Sequence, residues 1–192
     1  MKSYNHLVLS LLLLAGVTQA DAQELHGVTA TEIKIGQSMP YSGPGSHYST
    51  IARANEAYFQ MINDAGGING RKIKLISLDD AYSPPKTFEQ TRKLVEQEDV
   101  LLIFDTLGTA TNAAIQKYLN TKKVPQLFPT TGATRFADPK NFPWTMGWQP
   151  NYQLEGHAFG SYILENHPNA KIAILYQNDD LGRDYIKGLR DR

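Results

Sequence analysis

An α/β fold built on a doubly wound parallel sheet is predicted by three observations. Short apolar or alternating segments recur along the chain, each is followed by a helical pattern, and the loops between them are only a few residues long. Alternation of this kind builds right-handed βαβ units. Glu32-Ile-Lys-Ile-Gly36 alternates at period two and reads as the first strand. It breaks into the turn Tyr41-Ser-Gly-Pro-Gly-Ser-His-Tyr48, after which a helix begins. Open α/β sheets bind ligands where the carboxyl ends of strands face helix amino ends. This loop carries hydroxyls, backbone N–H groups and an aromatic ring, without a nucleophile–base pair, a metal-ligand cluster or a phosphate-loop lysine. That equipment holds a small polar molecule rather than transforming it.

The first helix is predicted to turn Ile51, Ala54, Tyr58, Met61 or Ile62, and Ala65 inward, and Gly66-Gly67 stops it. Lys72–Leu78 is the second strand, Asp79–Pro85 a loop whose prolines open the next helix, and Phe88, Thr91, Leu94 and Val95 face inward on that helix. Val100–Phe104 is a continuous apolar run, as expected of a strand covered on both faces. The Asp105–Thr111 turn leads into a helix carrying Ala114, Ile115, Tyr118 and Leu119. Val124–Pro129 is a further short strand, with Pro125 at a sheet edge or strand start, and the Thr130–Thr134 turn follows. Two Trp and two Pro between Asn141 and Pro150 mark a crossover out of the first sheet, and helical periodicity resumes at Leu154, Ala158 and Tyr162. Lys171–Tyr176 reads as a strand of a second sheet, Gln177–Asp180 as its carboxyl-end loop, and Leu181–Arg192 as an opening helix.

The expected organisation is a leader over residues 1–22, a ligand-binding lobe over 23–145, and a crossover with the start of a second, incomplete lobe over 146–192. The leader combines Lys2, the apolar run Leu7–Val17 and an Ala20-Asp-Ala22 cleavage pattern, too short an apolar stretch to span a bilayer. Cleavage after Ala22 and a periplasmic location are expected. The chain has no cysteine, which excludes disulfides and thiolate metal sites. Nineteen basic residues balance nineteen acidic ones, leaving no electrostatic footprint for nucleic acid or an anionic membrane. Direct membrane insertion is not expected, and a monomer is.

Asp79-Asp80 and Asp179-Asp180 look like acid–base or metal chemistry. Adjacent strand residues point to opposite faces, so loop anchoring or N-capping is the expected role of each pair. The five histidines show no metal-ligand spacing, and Trp144 and Trp148 are expected to pack at the crossover. No cofactor, metal or catalytic residue is predicted.

Tyr41–Tyr48, the run Asn63-Asp-Ala-Gly-Gly-Ile-Asn-Gly70, Leu78-Asp-Asp80, the Thr106–Thr111 turn, and Ala173–Tyr176 followed by Gln-Asn-Asp-Asp-Leu-Gly182 occur in one order. In this the chain resembles the type I solute-binding proteins of branched-chain amino acid ABC importers. The resemblance implies a two-lobe Venus-flytrap protein that closes on an amino acid or similar solute and delivers it to a membrane permease. It also implies ligand-binding positions. Tyr48 covers the ligand, Gly108 and Thr109 offer N–H and hydroxyl groups to its carboxylate, and Thr130 and Gly132 lie on a third loop that presents a carbonyl to the ammonium and a further donor to the carboxylate. Thr131 or Thr134 substitutes for the family's threonine at the Gly132 position, and Leu181 stands where many relatives have an aromatic residue. Gly108 stands where a serine is common among amino-acid binders; its backbone N–H remains, and Thr109 is the residue placed to supply the hydroxyl, so the resemblance leaves the ligand preference open. Thr109 and Thr111 are equally suited to capping the helix they open. A hydrolase using Asp79 or Asp80 with a threonine nucleophile, and an orphan sensor lobe of a receptor, are the alternative classes. Two further expectations follow from an unfinished second lobe: weak or absent ligand affinity, and lower stability for residues 151–192.

Overall fold

The computed structural model describes residues 25–192; the expected leader and its cleavage site lie outside them. Five parallel strands, β1 (Glu32–Met39), β2 (Lys72–Asp79), β3 (Leu102–Phe104), β4 (Gln126–Leu127) and β5 (Thr145–Met146), form one sheet in the order β2-β1-β3-β4-β5. β1 is an inner strand, with Ile35 registered between Leu75 of β2 and Leu102 of β3. Between the strands run α1 (Ser49–Asp64), α2 (Pro84–Glu96) and α3 (Thr109–Lys122), and after β5 come α4 (Tyr152–Asn166) and α5 (Asp180–Arg190).

Both faces of the sheet carry helices because strand side chains alternate. Ile103 of β3 points into a buried cluster with Leu94 of α2, Val100, and Ile115 and Leu119 of α3. Its neighbour Phe104 lies on the other face, 5.6 Å from the Phe59 ring of α1 and 6.1 Å from Phe128. A second cluster of Met39, Ala52 and Leu107, packed by Tyr41, Ile51 and Tyr82, sits under the carboxyl ends of the strands. The fold predicted for the first lobe is therefore the one observed. Prolines open α2 at its first positions, and Pro125 stands immediately before β4, the strand-start position. β4 is an inner strand, so of the two placements expected for Pro125 the edge is the one not used.

Four expectations are corrected. The buried side of α1 runs through Ser49 and Ala52, with Asn55, Phe59 and Ile62 partly covered, while Ala54, Tyr58 and Met61 are exposed. The inward face is rotated because α1 needs Asn55 and Phe59 against β3. In α4 the apolar stripe Leu154, Ala158 and Tyr162 faces outward, and the buried side is Gly156 and Gly160. A Cβ at Gly156 would stand 2.4 Å from the Tyr185 carbonyl, and one at Gly188 2.0 Å from that of Gln153, so α4 and α5 meet backbone to backbone. The Asn141–Pro150 crossover contains β5, a two-residue strand whose hydrogen bonds come from Gln126 and Phe128 N–H groups donating to Trp144 and Met146 carbonyls. Trp144 and Trp148 are exposed rather than packed. Finally, Lys171–Tyr176 pairs with no strand among the described residues, and Leu175 is fully exposed.

Candidate functional site

The carboxyl ends of β1, β2 and β3 open into three loops; Asp79 locks the first two together, and Asp80 braces the second. The Asp79 carboxylate accepts hydrogen bonds from the Tyr41 N–H (2.9 Å), the Ser42 N–H (3.1 Å) and the Ser42 hydroxyl (2.6 Å) of the first loop. In its own loop it accepts from the Ala81 N–H (3.0 Å) and pairs with Lys86 at 2.9 Å. Burial alone would raise its pKa, but these donors outweigh it and hold the group well below the ordinary carboxylate range. Asp80, fully buried, accepts from the Tyr82 N–H and the Thr87 hydroxyl, both at 2.9 Å, and burial pushes its pKa up. The pair anchors loops, in keeping with the role expected of it.

What the anchoring holds is a strained turn. Ala81 and Tyr82 both have left-handed backbones, with φ of +51° and +59°, a conformation that costs energy in non-glycine residues and persists where surroundings over-determine it. The turn carries the Tyr82 ring between the loops. A Cβ at Gly108 would lie 2.5 Å from Tyr82 Cε2, and one at Gly45 would lie 3.3 Å from Tyr82 Cβ. Gly108 also has φ of +98°, which a side chain rarely tolerates.

Gly108 is the N-cap of α3, and no side chain caps that helix. The Thr111 hydroxyl instead donates back to the Leu107 carbonyl, and the hydroxyls of Thr109 and Thr131 lie 2.6 Å apart, bonded to each other. The first-turn N–H groups of α3 thus have no side-chain acceptor, the state in which a helix amino end attracts an anion. The Gly108 N–H donates to the Thr130 carbonyl (3.1 Å), and the Thr130 N–H donates to the Thr106 carbonyl (2.9 Å), tying the loops after β3 and β4 together. The Thr130 hydroxyl donates to Asp105, whose other oxygen accepts from the Asn55 side chain at 2.6 Å. Burial raises the Asp105 pKa, although both donors oppose it.

Of the seven residues proposed as ligand contacts, Gly108, Thr109, Thr130 and Thr131 form one hydrogen-bonded corner. Gly132 adjoins it, buried, with its carbonyl accepting from the Tyr152 N–H at 2.9 Å. Tyr48, half exposed, lies with its ring tilted 38° against that of His47 at 4.2 Å where α1 begins. Leu181 opens α5, its N–H donating to Asp179, and lines a separate apolar cavity of about 450 Å³ between α4, α5 and residues 174–177. Asp179 caps α5, and Asp180 pairs with Arg135 at 2.8 Å. Beside that pair, buried Asp184 accepts from the Thr134 N–H (2.7 Å) and from Gln153, fixing α5 to the loop after β4. Tyr82 was not among the residues singled out. Its signal in the sequence is an aromatic residue two positions beyond the paired carboxylates at a strand end. Among the described residues no group of three His, Asp or Glu side chains could hold a metal ion.

The loops at the carboxyl edge of this parallel sheet are locked to one another around the uncapped amino end of α3, in an α/β lobe. Residues 32–192 match the model of the periplasmic binding protein family, and the chain belongs to that family. It is 27% identical over 173 residues to a Leu/Ile/Val-binding protein homolog of Brucella abortus, covering 89% of this chain and 46% of that protein. It is 25% identical over 160 residues to the leucine-, isoleucine-, valine-, threonine- and alanine-binding protein of Pseudomonas aeruginosa, covering 82% and 42%. Among solved structures, a substrate-binding periplasmic protein of Ralstonia solanacearum superposes with a TM-score of 0.74 at 27% identity, over 83% of this chain and 45% of that one. The chain thus spans about half the length of the relatives it matches.

Proposed function

We propose that this chain supplies the first lobe and the beginning of the second in a periplasmic solute-binding protein of an ABC importer. The ligand is a branched-chain amino acid or a related small carboxylate or amide, taken up unchanged between two lobes and presented to a membrane permease. The observation that carries this reading is the corner at α3, where first-turn N–H groups are left without a side-chain cap beside the Thr109–Thr131 hydroxyl pair. An acid group placed there gains N–H donors and the positive end of the helix dipole. Tyr48 stands exposed at the start of α1 to cover the ligand, Thr130, Thr131 and Gly132 shape the wall, and Leu181 belongs to the opposite side. The names of the Brucella and Pseudomonas relatives support the amino-acid class. The protein acts in the periplasm as a monomer, without cofactor and without catalysis. Residues 25–192 hold the first wall of the cleft and only the start of the opposite side, so weak affinity is expected of these residues by themselves for lack of closure and desolvation. Calorimetric titration with leucine, isoleucine and valine, with the ligand followed by NMR, tests this. Weak uptake of unchanged ligand is expected. Appearance of a hydrolysis product would sink the binding reading, and micromolar or tighter affinity would sink the half-cleft reading.

A further inference from the structure

The α4–α5 pair meets the first region at α3 and at the turn Thr134–Ala137. Its two helices touch backbone to backbone at Gly156 and Gly188, and contact that close makes them one body. Two of its attachments are tight. The Gly132 carbonyl accepts from the Tyr152 N–H at 2.9 Å, and a Cβ at Gly132 would lie 2.4 Å from the Pro150 carbonyl oxygen. The buried Asp184 carboxylate of α5 accepts from the Thr134 N–H at 2.7 Å, the Thr134 hydroxyl at 3.0 Å and the Gln153 side chain at 2.7 Å. Stripping a buried carboxylate of its donors is costly, so this attachment holds through small movements. Two fixed points define an axis.

The third attachment is of another kind. Arg135 Nη1 donates to Asp180 at 2.8 Å, and the two side chains are 37% and 34% exposed. Ion pairs this open to water are weak and are screened by salt. Both groups also keep a partner when they separate. Arg135 Nε donates to the Gln116 side chain of α3 at 3.2 Å, and the other oxygen of Asp180 lies 3.6 Å from Nη1 of Arg183, one turn along α5. Asp180 thus stands between an arginine of the first region and an arginine of its own helix. Exchange between them strands neither charge, which gives the contact two arrangements close in energy.

Resting on the reading of this chain as a solute-binding lobe, we propose that Gly132–Tyr152 and Thr134–Asp184 are the pivot of the cleft and Arg135–Asp180 a releasable clasp that sets its angle. With Asp180 on Arg135 the amino end of α5 is drawn toward the strand-end loops, and with Asp180 on Arg183 it swings away. Arg135 and Asp184 are positioning residues in this scheme. The chain has no cysteine, so spin labels at Lys117→Cys in α3 and Glu165→Cys in α4, both exposed, report the angle by double electron–electron resonance on the full chain without ligand. Raising the ionic strength from about 0.1 M to about 1 M shortens the screening length from about 10 Å to about 3 Å and is expected to populate a second distance. The ratio of released to clasped molecules is expected to rise by a factor of about two to five, the range open to an exposed pair. Arg135→Gln is expected to give the second distance at either salt concentration, and Arg183→Gln to suppress it. Asp184→Asn, checked for folding by circular dichroism, is expected to broaden the distances under both conditions. A distance that responds neither to salt nor to Arg135→Gln overturns the clasp, as do equal shifts in the two arginine variants. An unchanged distribution in folded Asp184→Asn overturns the pivot. No ligand is present, so each of these failures leaves the solute-binding reading standing, and a failed leucine titration leaves the pivot and clasp standing.

Discussion

The two halves of the molecule solve the same packing problem with different materials. Around β1–β5, apolar side chains from two helices and the sheet close on one another, and Leu94, Ile115 and Leu119 are fully buried. Around α4 and α5 the helices touch through glycines, and their apolar side chains line the cavity that also meets Ile174 and Leu175. The first region is held by side-chain burial and by carboxylates that bridge its loops. The second is held by one close helix pair and by Asp184 and Asp180, which fasten it to Thr134 and Arg135. The difference teaches that an apolar run becomes a strand only when a partner strand is there to take its hydrogen bonds. Val100–Phe104 and Lys171–Tyr176 look alike in the sequence, and only the first has neighbours.

The comparison breaks most visibly at Leu94. Leu94→Ala empties a fully buried site between α2 and β3 and is expected to lower global stability by about 2–5 kcal/mol in urea unfolding. Asp184→Ala, in the second region, leaves the Thr134 N–H and the Gln153 amide without their acceptor. The expected loss is about 1–3 kcal/mol, accompanied by faster hydrogen exchange across residues 151–192 than across the sheet. Equal protection of the two regions in the unaltered chain would contradict the contrast itself.

Acidity separates the loops from the rest. The Asp79 pKa lies below its ordinary 3.8, so its contribution is complete above that value and is lost as the pH falls below it. Asp80 and Asp105 are shifted upward, so in the folded state they hold protons that the unfolded chain has released. Their burial cost is full above the raised pKa values and disappears as the pH falls through them. Stability is therefore expected to rise as the pH falls through the raised Asp80 and Asp105 pKa values and to fall once the pH drops below 3.8, where the Asp79 contribution is lost. Asp79→Asn is expected to flatten the acid limb, and Asp105→Asn to flatten the gain that comes as the pH falls through the raised Asp105 pKa, both read as unfolding midpoints across the pH range. The smallest effect belongs to Leu175→Ala. Its side chain is fully exposed, so the expected change is within about 0.5 kcal/mol; a loss comparable to that at Leu94 would mean that residues 171–176 are packed in solution.

Much of the fold was legible because its signals are local. Period-two alternation at Ile33 and Ile35, the helix-opening prolines 84 and 85, and the Gly66-Gly67 stop each act within a few residues of where they stand. The illegible parts depend on distant partners. The inward faces of α1 and α4 depart from the hydrophobic pattern because distant partners, not hydrophobicity, set their buried sides. Asn55 instead turns inward to meet Asp105, and Gly156 to meet the α5 backbone. β5 was missed since two residues carry no periodicity. At the strand-end loops, the Ser/Thr/Gly-rich turns are legible as turns, while the hydrogen bonds joining Thr109 to Thr131 and Gly108 to Thr130 span 22 residues and have no trace in local sequence.

By itself the sequence determined the alternation of strands and helices, the position of the strand-end loops, and the absence of cysteine chemistry, because propensity, turn residues and composition act locally. Only the tertiary structure decided that Asp79 and Asp80 brace a left-handed turn, that Tyr82 fills the space above Gly108, and that Lys171–Tyr176 stands without a partner strand. Each of those depends on residues brought together from different elements, and contact across the fold is what local sequence does not encode.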